Sequence, residues 1–217
     1  MISHRHRCIF VHIPKCGGTS IEDAIWPDID SRSEADLWMG QDAEDFNRYQ
    51  EDGLQHLLAS QVREEVGESE FRSYFKFAFV RNPFDKAVSQ FEYMKRKRRS
   101  LREKIGMSKD ATFAEYVRCI RAYDHPHWAP QHRFLYSESG ELLVDFVGRF
   151  ERFEEDALRV FDAVGLGARV GRWHTKRVPH SKSGGVKPHY REYYDDDTRK
   201  VTAEMYARDL VLLGYEF

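Results

Sequence analysis

Residues 8–25 read CIFVHIPKCGGTSIEDAI, and this stretch decides the expected fold because three patterns follow one another without a break. A short apolar run comes first, which is typical of a buried strand in a parallel sheet. The pair Gly17 and Gly18 follows, and from Thr19 onward apolar residues recur at helical spacing. Thr19 or Ser20 can cap the first helical turn. The stretch therefore predicts a strand, a glycine turn and a helix.

A second strand-to-helix turn is predicted further along the chain. Tyr74 to Val80 is rich in strand-forming residues, and Asn82 and Pro83 then supply a cap and a first-turn proline. The remaining elements are weaker patterns: a helix at 54–66, a third strand at 142–147 and a closing helix at 195–213. We expect an α/β fold with a P-loop-like central parallel sheet flanked by helices, as a single domain over 1–217, with a variable insertion at 27–53 and a basic loop at 172–187.

Composition narrows the functional classes. The 217 residues are 41% hydrophobic and 14% aromatic, which is enough for a packed core. The net charge of −2 gives no polybasic signature, so a nucleic-acid partner is not expected. The three cysteines are sparse and odd in number, which favours a reducing compartment. The N-terminal apolar run is too short for a membrane span, and we expect a cytoplasmic protein without an anchor.

The glycine turn has the residues of an anion-binding site. Its glycines allow close backbone approach, and N–H groups at a helix N-terminus attract phosphate or sulfate. Lys15 adds a positive charge, and Thr19 and Ser20 add hydroxyl groups. The lysine precedes the glycine pair, whereas the ordinary nucleotide-binding pattern GxxxxGK[ST] has it after the second glycine. A tight turn with a solvated lysine is the structural alternative.

Two motifs together resemble one enzyme family. The stretch FVHIPKCGGTSIE is similar to the 5′-phosphosulfate loop of carbohydrate-type sulfotransferases, and FKFAFVRNPFDKAVSQF is similar to their 3′-phosphate motif. The resemblance continues at Pro130-Gln131 and at Val144–Glu151, so it covers nearly the whole chain apart from residues 27–53. It differs at Cys16, where the family usually has threonine or another small residue.

The resemblance implies a donor and its binding residues. The donor is 3′-phosphoadenosine 5′-phosphosulfate (PAPS), and the product nucleotide is 3′-phosphoadenosine 5′-phosphate (PAP). The acceptor is expected to be a hydroxyl group, on a glycan or glycoconjugate by family resemblance alone. No metal is required. The residues expected to bind the donor are Lys15, Cys16, Gly17, Gly18, Thr19, Ser20, Arg81, Ser89 and, in the basic loop, Ser183.

Lys15 and His56 are the expected catalytic residues. Lys15 can stabilise charge on the leaving phosphate, and His56 matches in position a histidine of the family, so we assign it as the base. His12 and Glu22 are weaker candidates for the base. For Arg81 the alternative is a structural salt bridge with Asp85.

Other readings stay open at this level. An ATP-dependent kinase or NTPase is one, since Leu142 to Asp145 looks like a Walker-B strand ending in aspartate. A non-catalytic nucleotide- or glycan-binding module on the same scaffold is another. The basic run Lys95–Lys104 is either a solvated helix end or a groove for an anionic acceptor. Neither the oligomeric state nor the acceptor's identity can be read from the sequence.

Overall fold

The computed structural model describes residues 1–28, 32–38, 53–167 and 188–217. Within these ranges the chain divides into two compact units. The first unit contains the described residues between Met1 and Val80 and between Arg133 and His180, and the second contains those between Arg81 and His132 and between Ser181 and Phe217. Parts of the predicted insertion, residues 29–31 and 39–52, lie outside the described residues. The predicted basic loop at 172–187, including Ser183, lies outside them as well.

The helices of the described chain are short, and most end within four turns. In chain order they are α1 (Gly18–Ile25), α2 (Ala59–Val66), α3 (Glu68–Ser73), α4 (Pro83–Lys97), α5 (Arg99–Lys104), α6 (Phe113–Arg121), α7 (His132–Leu135), α8 (Phe153–Ala163), α9 (Asp196–Met205) and α10 (Ala207–Leu213). Single 3₁₀ turns occupy Glu34–Asp36, Leu54–His56, Phe150–Arg152 and Tyr190–Tyr193. Across the described ranges, no helix combines the length and the apolar character needed to cross a bilayer.

The first unit is built on a four-stranded sheet. Its strands lie in the order β1 (Ile2–Ser3), β2 (Cys8–Val11), β3 (Phe75–Val80) and β4 (Phe146–Arg149). β2, β3 and β4 are parallel, while the two-residue β1 pairs antiparallel with β2. The predicted mixed α/β architecture with a mostly parallel sheet is therefore confirmed, although the edge strand β1 was too short to be predicted.

Apolar side chains from strands and helices form the core of this unit. Every residue of β2 is buried, and the rings of Phe10 and Phe77 stack across β2 and β3 with centroids 5.1 Å apart. Ile21 and Ile25 of α1 and Phe161 of α8 are also buried. The helical spacing of these residues explains why each helix buries one face against the sheet.

Two predicted boundaries in this unit are wrong. The helix expected over 54–66 is a 3₁₀ turn followed by α2, because Leu57 and Leu58 are extended, with ψ of 147° and 154°. The third strand begins at Phe146 instead of 142. Its predicted first residues pair elsewhere, since Leu143 N donates to Leu135 O over 2.8 Å.

The second unit is helical and has its own core. Buried residues of α4 and α6, together with Trp128, form one cluster that includes Phe91, Met94 and Tyr116. The side chain of Asn82 accepts a hydrogen bond from Phe84 N at 3.0 Å, so the predicted cap of α4 is confirmed. The predicted closing helix is two helices, α9 and α10, because the backbone of the buried Tyr206 leaves helical geometry between them (φ −113°, ψ 22°).

Candidate active site

Residues 12–17 join β2 to α1. We call these residues, together with Gly18 at the start of α1, the glycine turn. Lys15 and Gly17 both have positive φ, of 69° and 89°. The helix begins at Gly18 with Gly17 as its N-cap, and no side chain caps it. The prediction that Thr19 or Ser20 caps the helix is therefore wrong. The first turn of a helix leaves backbone N–H groups without intrahelical partners, which suits anion binding.

Two aromatic rings lie directly beneath the glycine turn. A Cβ atom on Gly18 would overlap the ring of His12, and one on Gly17 would come within 2.5 Å of the ring of Phe153. Gly18 is therefore required by the close packing of His12, whereas Gly17 is required by both packing and its positive φ. The two rings pack against the backbone of the turn and leave no room for side chains at Gly17 and Gly18.

The side chain of Cys16 faces the protein interior. The residue is 1% exposed, and its thiol donates to Pro14 O at 3.6 Å. Any contribution of Cys16 to ligand binding would therefore come from its backbone N–H. A cysteine in place of the family's usual threonine leaves the turn without a hydroxyl group at this position.

A buried ion pair links the glycine turn to α1. His12 Nδ1 lies 2.7 Å from Glu22 Oε1, which is close enough for a strong electrostatic attraction between a protonated imidazole and the carboxylate. Arg32 approaches Glu22 Oε2 at 3.8 Å and donates to Trp26 O, near the end of α1. Burial alone would raise the pKa of Glu22, but the charges of His12, His56 and Arg32 lower it to about 2. A carboxylate with so low a pKa is a poor proton acceptor, which argues against Glu22 as the base.

His56 lies beside this ion pair in a defined tautomer. Its Nδ1 is 3.0 Å from His12 O, and its ring meets the His12 ring edge-on with centroids 4.6 Å apart. A carbonyl oxygen can only accept, so Nδ1 carries a proton, and Nε2 is the ring nitrogen that can exchange one. In His12, by contrast, Nδ1 faces Glu22 and Nε2 packs against Gly18. Of the two histidines, His56 has the geometry of a base.

Arg81 and Ser89 belong to the second unit. The Arg81 guanidinium donates from Nε to Asp85 Oδ2 at 2.8 Å and from one amino group to Asp85 Oδ1 at 2.9 Å. The salt bridge weighed as a structural alternative is thus present. Ser89 is four residues beyond Asp85 on α4, and residues at that spacing share one face of a helix. Ser89 therefore lies on the face to which Arg81 is tied.

The arrangement of Asp145 does not fit a Walker-B aspartate. Asp145 precedes β4, and its Oδ2 accepts from Lys76 N at 2.7 Å and lies 2.9 Å from Lys76 Nζ. Lys76 is near the start of β3, so Asp145 lies at the amino-terminal edge of the parallel strands. The glycine turn follows the carboxyl end of β2, at the opposite edge, where ligands bind in such sheets.

Several cations of the basic run have local partners. Arg102 donates to Met94 O at 2.5 Å, near the end of α4. Arg98 lies 3.0 Å from His127 Nε2, and Arg99 pairs with Glu103. These contacts favour a helix end stabilised by cations over a continuous basic groove. Among the residues that the structure describes, no group of three histidine, cysteine or carboxylate side chains has the arrangement of metal ligands.

Sequence reasoning missed three contributors to this region. Phe153 and Arg32 reach the glycine turn and α1 from other parts of the chain, and no local pattern indicates either contact. Gln131 was noted only as part of a similar motif, yet its side chain bonds the main chain of Arg81. A buried glutamine can be suspected from the sequence, but its partner cannot.

Comparison with known proteins gives one family. The family model described as "Sulfotransferase family" matches residues 1–216. The chain is 24% identical over 239 aligned positions to carbohydrate sulfotransferase 14 of Danio rerio, covering 99% of this chain and 61% of that protein. It is 26% identical over 183 positions to carbohydrate sulfotransferase 14 of Homo sapiens, covering 76% and 46%. An uncharacterized protein of Archaeoglobus fulgidus is 32% identical over 110 residues, 51% of this chain and 83% of its own length. No solved structure matches the chain.

These relatives correct the predicted location. The relatives that carry a name are carbohydrate sulfotransferases, and the chain spans only 61%, 33% and 46% of their lengths. The prediction of a cytoplasmic protein is therefore wrong, because it rested on a short apolar run in a chain that matches only part of these enzymes.

The resemblance inferred from the two motifs is confirmed. The match is not confined to the glycine turn or the second motif, since it extends over both units. Because it covers residues 1–216 of the 217, the chain belongs to the sulfotransferase family, of the type that includes the carbohydrate sulfotransferases.

Proposed function

We propose that this protein transfers a sulfuryl group from PAPS to a hydroxyl group of a carbohydrate. The observation that carries the proposal is the environment of the glycine turn. The ring of His12 packs closely against Gly18 at the start of α1, and the carbonyl oxygen of His12 accepts from Nδ1 of His56. His12 therefore contacts both the proposed anion site and the proposed base.

The glycine turn fits the 5′-phosphosulfate end of the donor. The N-terminus of α1 has no side-chain cap, so no side chain of the turn competes with a ligand for its first backbone N–H groups. Thr19 is exposed and Ser20 partly exposed at the same helix end, where their hydroxyl groups can donate to phosphate or sulfate oxygens. Lys15 supplies positive charge at the turn.

The chemistry assigns one role to each catalytic side chain. The acceptor oxygen attacks sulfur in line and forms a new O–S bond, while the bond from sulfur to the bridging oxygen of the 5′-phosphate breaks. The electron pair of that bond goes to the phosphate oxygen, where the Lys15 ammonium stabilises the charge. The acceptor's proton goes to His56 Nε2, the nitrogen that keeps a lone pair when Nδ1 donates to His12 O.

Arg81 and Ser89 are proposed to bind the 3′-phosphate of the same nucleotide. Asp85 engages two of the five N–H donors that a guanidinium has, and this fixes its plane. A guanidinium of fixed orientation suits the planar, bidentate recognition of phosphate. Ser183 remains a predicted contact of the nucleotide because it lies outside the described residues.

The acceptor class is inferred from the relatives. The named ones are carbohydrate sulfotransferases, so a glycan or glycoconjugate is the proposed acceptor. The kinase or NTPase alternative is less well supported, because Asp145 pairs with Lys76 at the edge away from the glycine turn. A non-catalytic binding module is separated from an enzyme by the transfer assay below.

The proposal is tested by binding and by transfer. Thermal unfolding is followed with PAP, ATP and NAD, with and without Mg²⁺, and transfer of labelled sulfuryl from PAPS is measured on a panel of glycans. We expect PAP to stabilise the protein without metal, by about 2 kcal/mol at tens of times its dissociation constant. His56→Ala should keep PAP binding but lower transfer about 10²-fold or more.

His6 provides a matched control for the histidine substitution. Its Nδ1 also contacts a backbone carbonyl, Val164 O at 3.2 Å, but it lies away from the glycine turn. His6→Ala should therefore leave transfer within about 2-fold of the original rate, because it removes no group near the glycine turn. Binding of ATP with Mg²⁺ in place of PAP would favour the kinase reading. Tight PAP binding without transfer to any glycan would favour the binding module.

A further inference from the structure

A fully buried glutamine holds the main chain of Arg81. Gln131 is 0% exposed, its Nε2 donates to Arg81 O at 2.7 Å, and its Oε1 accepts from Arg81 N at 2.9 Å. The side-chain amide thus takes the place of a neighbouring strand, because it satisfies both backbone groups of one residue. This fixes the backbone from which the guanidinium projects.

The glutamine is itself held by a buried carboxylate. Asp209 of α10 is 0% exposed, and its two oxygens accept from Gln131 N at 2.7 Å and from His132 N at 2.8 Å. His132 Nδ1 lies 2.7 Å from Asp209 Oδ1. The carboxylate therefore fixes the position of the segment that carries Gln131.

A buried lysine holds the other end of the same segment. Lys86 of α4 is 1% exposed, and its Nζ donates to His127 O at 3.2 Å and Ala129 O at 3.4 Å. Taking an ammonium and a carboxylate out of water costs several kcal/mol per ion by general estimates, so such groups are a weak means of stabilising a fold. Their common effect is to set the position of Gln131, and through it the backbone of Arg81.

We infer that Gln131 is a positioning residue for Arg81 and that it sets the preference of the protein for nucleotides carrying a 3′-phosphate. The inference rests on the proposed role of Arg81. Two of the contacts of the arginine act on different parts of it: Gln131 fixes its main chain and Asp85 orients its guanidinium. Loss of the first lets the charge move relative to a bound phosphate, and a displacement of about 1 Å can cost on the order of 10²-fold in a preorganised site.

The test compares two nucleotides that differ in the 3′-phosphate. Calorimetric titration with PAP and with adenosine 5′-phosphate is carried out on the original protein and on Gln131→Met, which conserves volume but makes neither hydrogen bond. PAP affinity should fall by about 10-fold or more, while affinity for adenosine 5′-phosphate stays within about 2-fold, because a single charge-assisted contact is affected. A merely structural role would weaken both nucleotides equally or neither.

Gln90 is the matched control. It is also a glutamine of 0% exposure in the second unit, and its Oε1 accepts from His127 Nδ1 at 3.1 Å. Gln90→Met should leave the ratio of the two affinities unchanged. Gln131→Asn is the second variant, since it keeps an amide but lacks the reach to bond both Arg81 groups, and its ratio should fall between those of the original protein and Gln131→Met.

Arg81→Lys separates failure of this inference from failure of the proposed function. If Arg81→Lys loses the preference for PAP and both Gln131 variants keep it, the positioning role is overturned and the proposed function stands. If Arg81→Lys also keeps the preference, Arg81 does not bind the 3′-phosphate and both fall. Failure of both Gln131 variants to fold, judged by near-ultraviolet circular dichroism, would make Gln131 a structural residue and would also overturn the inference.

Discussion

The glycine turn and the residues that open α4 are stabilised in different ways. The glycine turn is stabilised by close packing, since the rings of His12 and Phe153 occupy the space that side chains at Gly17 and Gly18 would need. Arg81 and Asn82 are held by hydrogen bonds, from Gln131 to the main chain of Arg81 and from Phe84 N to the side chain of Asn82. The difference follows from the ligands proposed for each. Backbone N–H groups bind an anion only if it can approach the main chain closely, whereas a guanidinium binds a phosphate well only if its plane is correctly oriented.

The largest effect is expected at Lys15, the lysine of the glycine turn. Lys15→Met should lower the rate of sulfuryl transfer by about 10²–10³-fold, because charge on the leaving phosphate loses its electrostatic partner. The transfer assay with labelled PAPS measures this, and Lys109→Met, which removes an exposed lysine of the second unit, is the control. A Lys15→Met rate close to that of the control would show that the turn acts through its backbone alone.

A substitution at Gly18 tests whether close packing against the His12 ring stabilises the glycine turn. Gly18→Ala should lower the free energy of unfolding by about 3 kcal/mol, because the added methyl group meets the His12 ring. Adding His12→Ala removes that contact, so the double variant should lose less stability than the two single variants lose in sum. Urea unfolding gives each value.

The control for Gly18 is Gly167, which has ordinary backbone angles and open space around its Cβ position. Gly167→Ala should change stability by no more than about 0.5 kcal/mol. Strict additivity of Gly18→Ala and His12→Ala would contradict the packing account, since two residues in contact should be coupled.

Glu22 tests the polar part of the same turn. Burial raises the pKa of Glu22, but His12, His56 and Arg32 lower it by more, so that the pKa falls from the usual 4.5 to about 2. A lowered folded-state pKa contributes stability above the unfolded value, and that stability is lost as pH falls through the folded value. Glu22→Gln should therefore cost a few kcal/mol near neutral pH, about 1.4 kcal/mol for each unit of the shift, and the cost should disappear between pH 4.5 and 2.

Stability of Glu22→Gln is measured by urea unfolding at a series of pH values. Glu115 is the exposed counterpart, whose pKa is lowered by hydrogen bonds from Thr112 at the start of α6. Glu115→Gln should show a smaller difference. A cost of Glu22→Gln that stays constant down to pH 2 would mean that the ion pair with His12 contributes nothing.

The smallest effect is expected at Asn82. Its side chain supplies one capping hydrogen bond, so Asn82→Ala should lower the free energy of unfolding by about 1 kcal/mol. Urea unfolding again provides the measurement. An unchanged stability would mean that the capping hydrogen bond of Asn82 contributes nothing to the start of α4.

Short sequence patterns predicted the features that depend on neighbouring residues in the chain. The two strand-to-helix turns followed from an apolar run, a glycine pair or a capping asparagine, and a helical spacing of apolar residues. His56 was assigned by resemblance, and its contact with His12 O now gives a physical reason for that choice. The start of β4 was misplaced because Leu143 pairs with Leu135, a contact that no short pattern contains.

Distant packing explains most of what the sequence did not predict. Phe153 lies far along the chain from Gly17, and Gln131 far from Arg81, so neither contact has a spacing that could indicate it. The same holds for the low pKa of Glu22, which depends on His12, His56 and Arg32 converging on one carboxylate.

The central claim is that the glycine turn binds the 5′ end of a PAPS-type nucleotide. A crystal structure of the protein with PAP tests it most directly. The account predicts the 5′-phosphate at the N-terminus of α1, within hydrogen-bonding distance of the backbone N–H groups of Gly17, Gly18 or Thr19 and near the Lys15 ammonium. A 5′-phosphate bound elsewhere, with the turn occupied only by water, would contradict it.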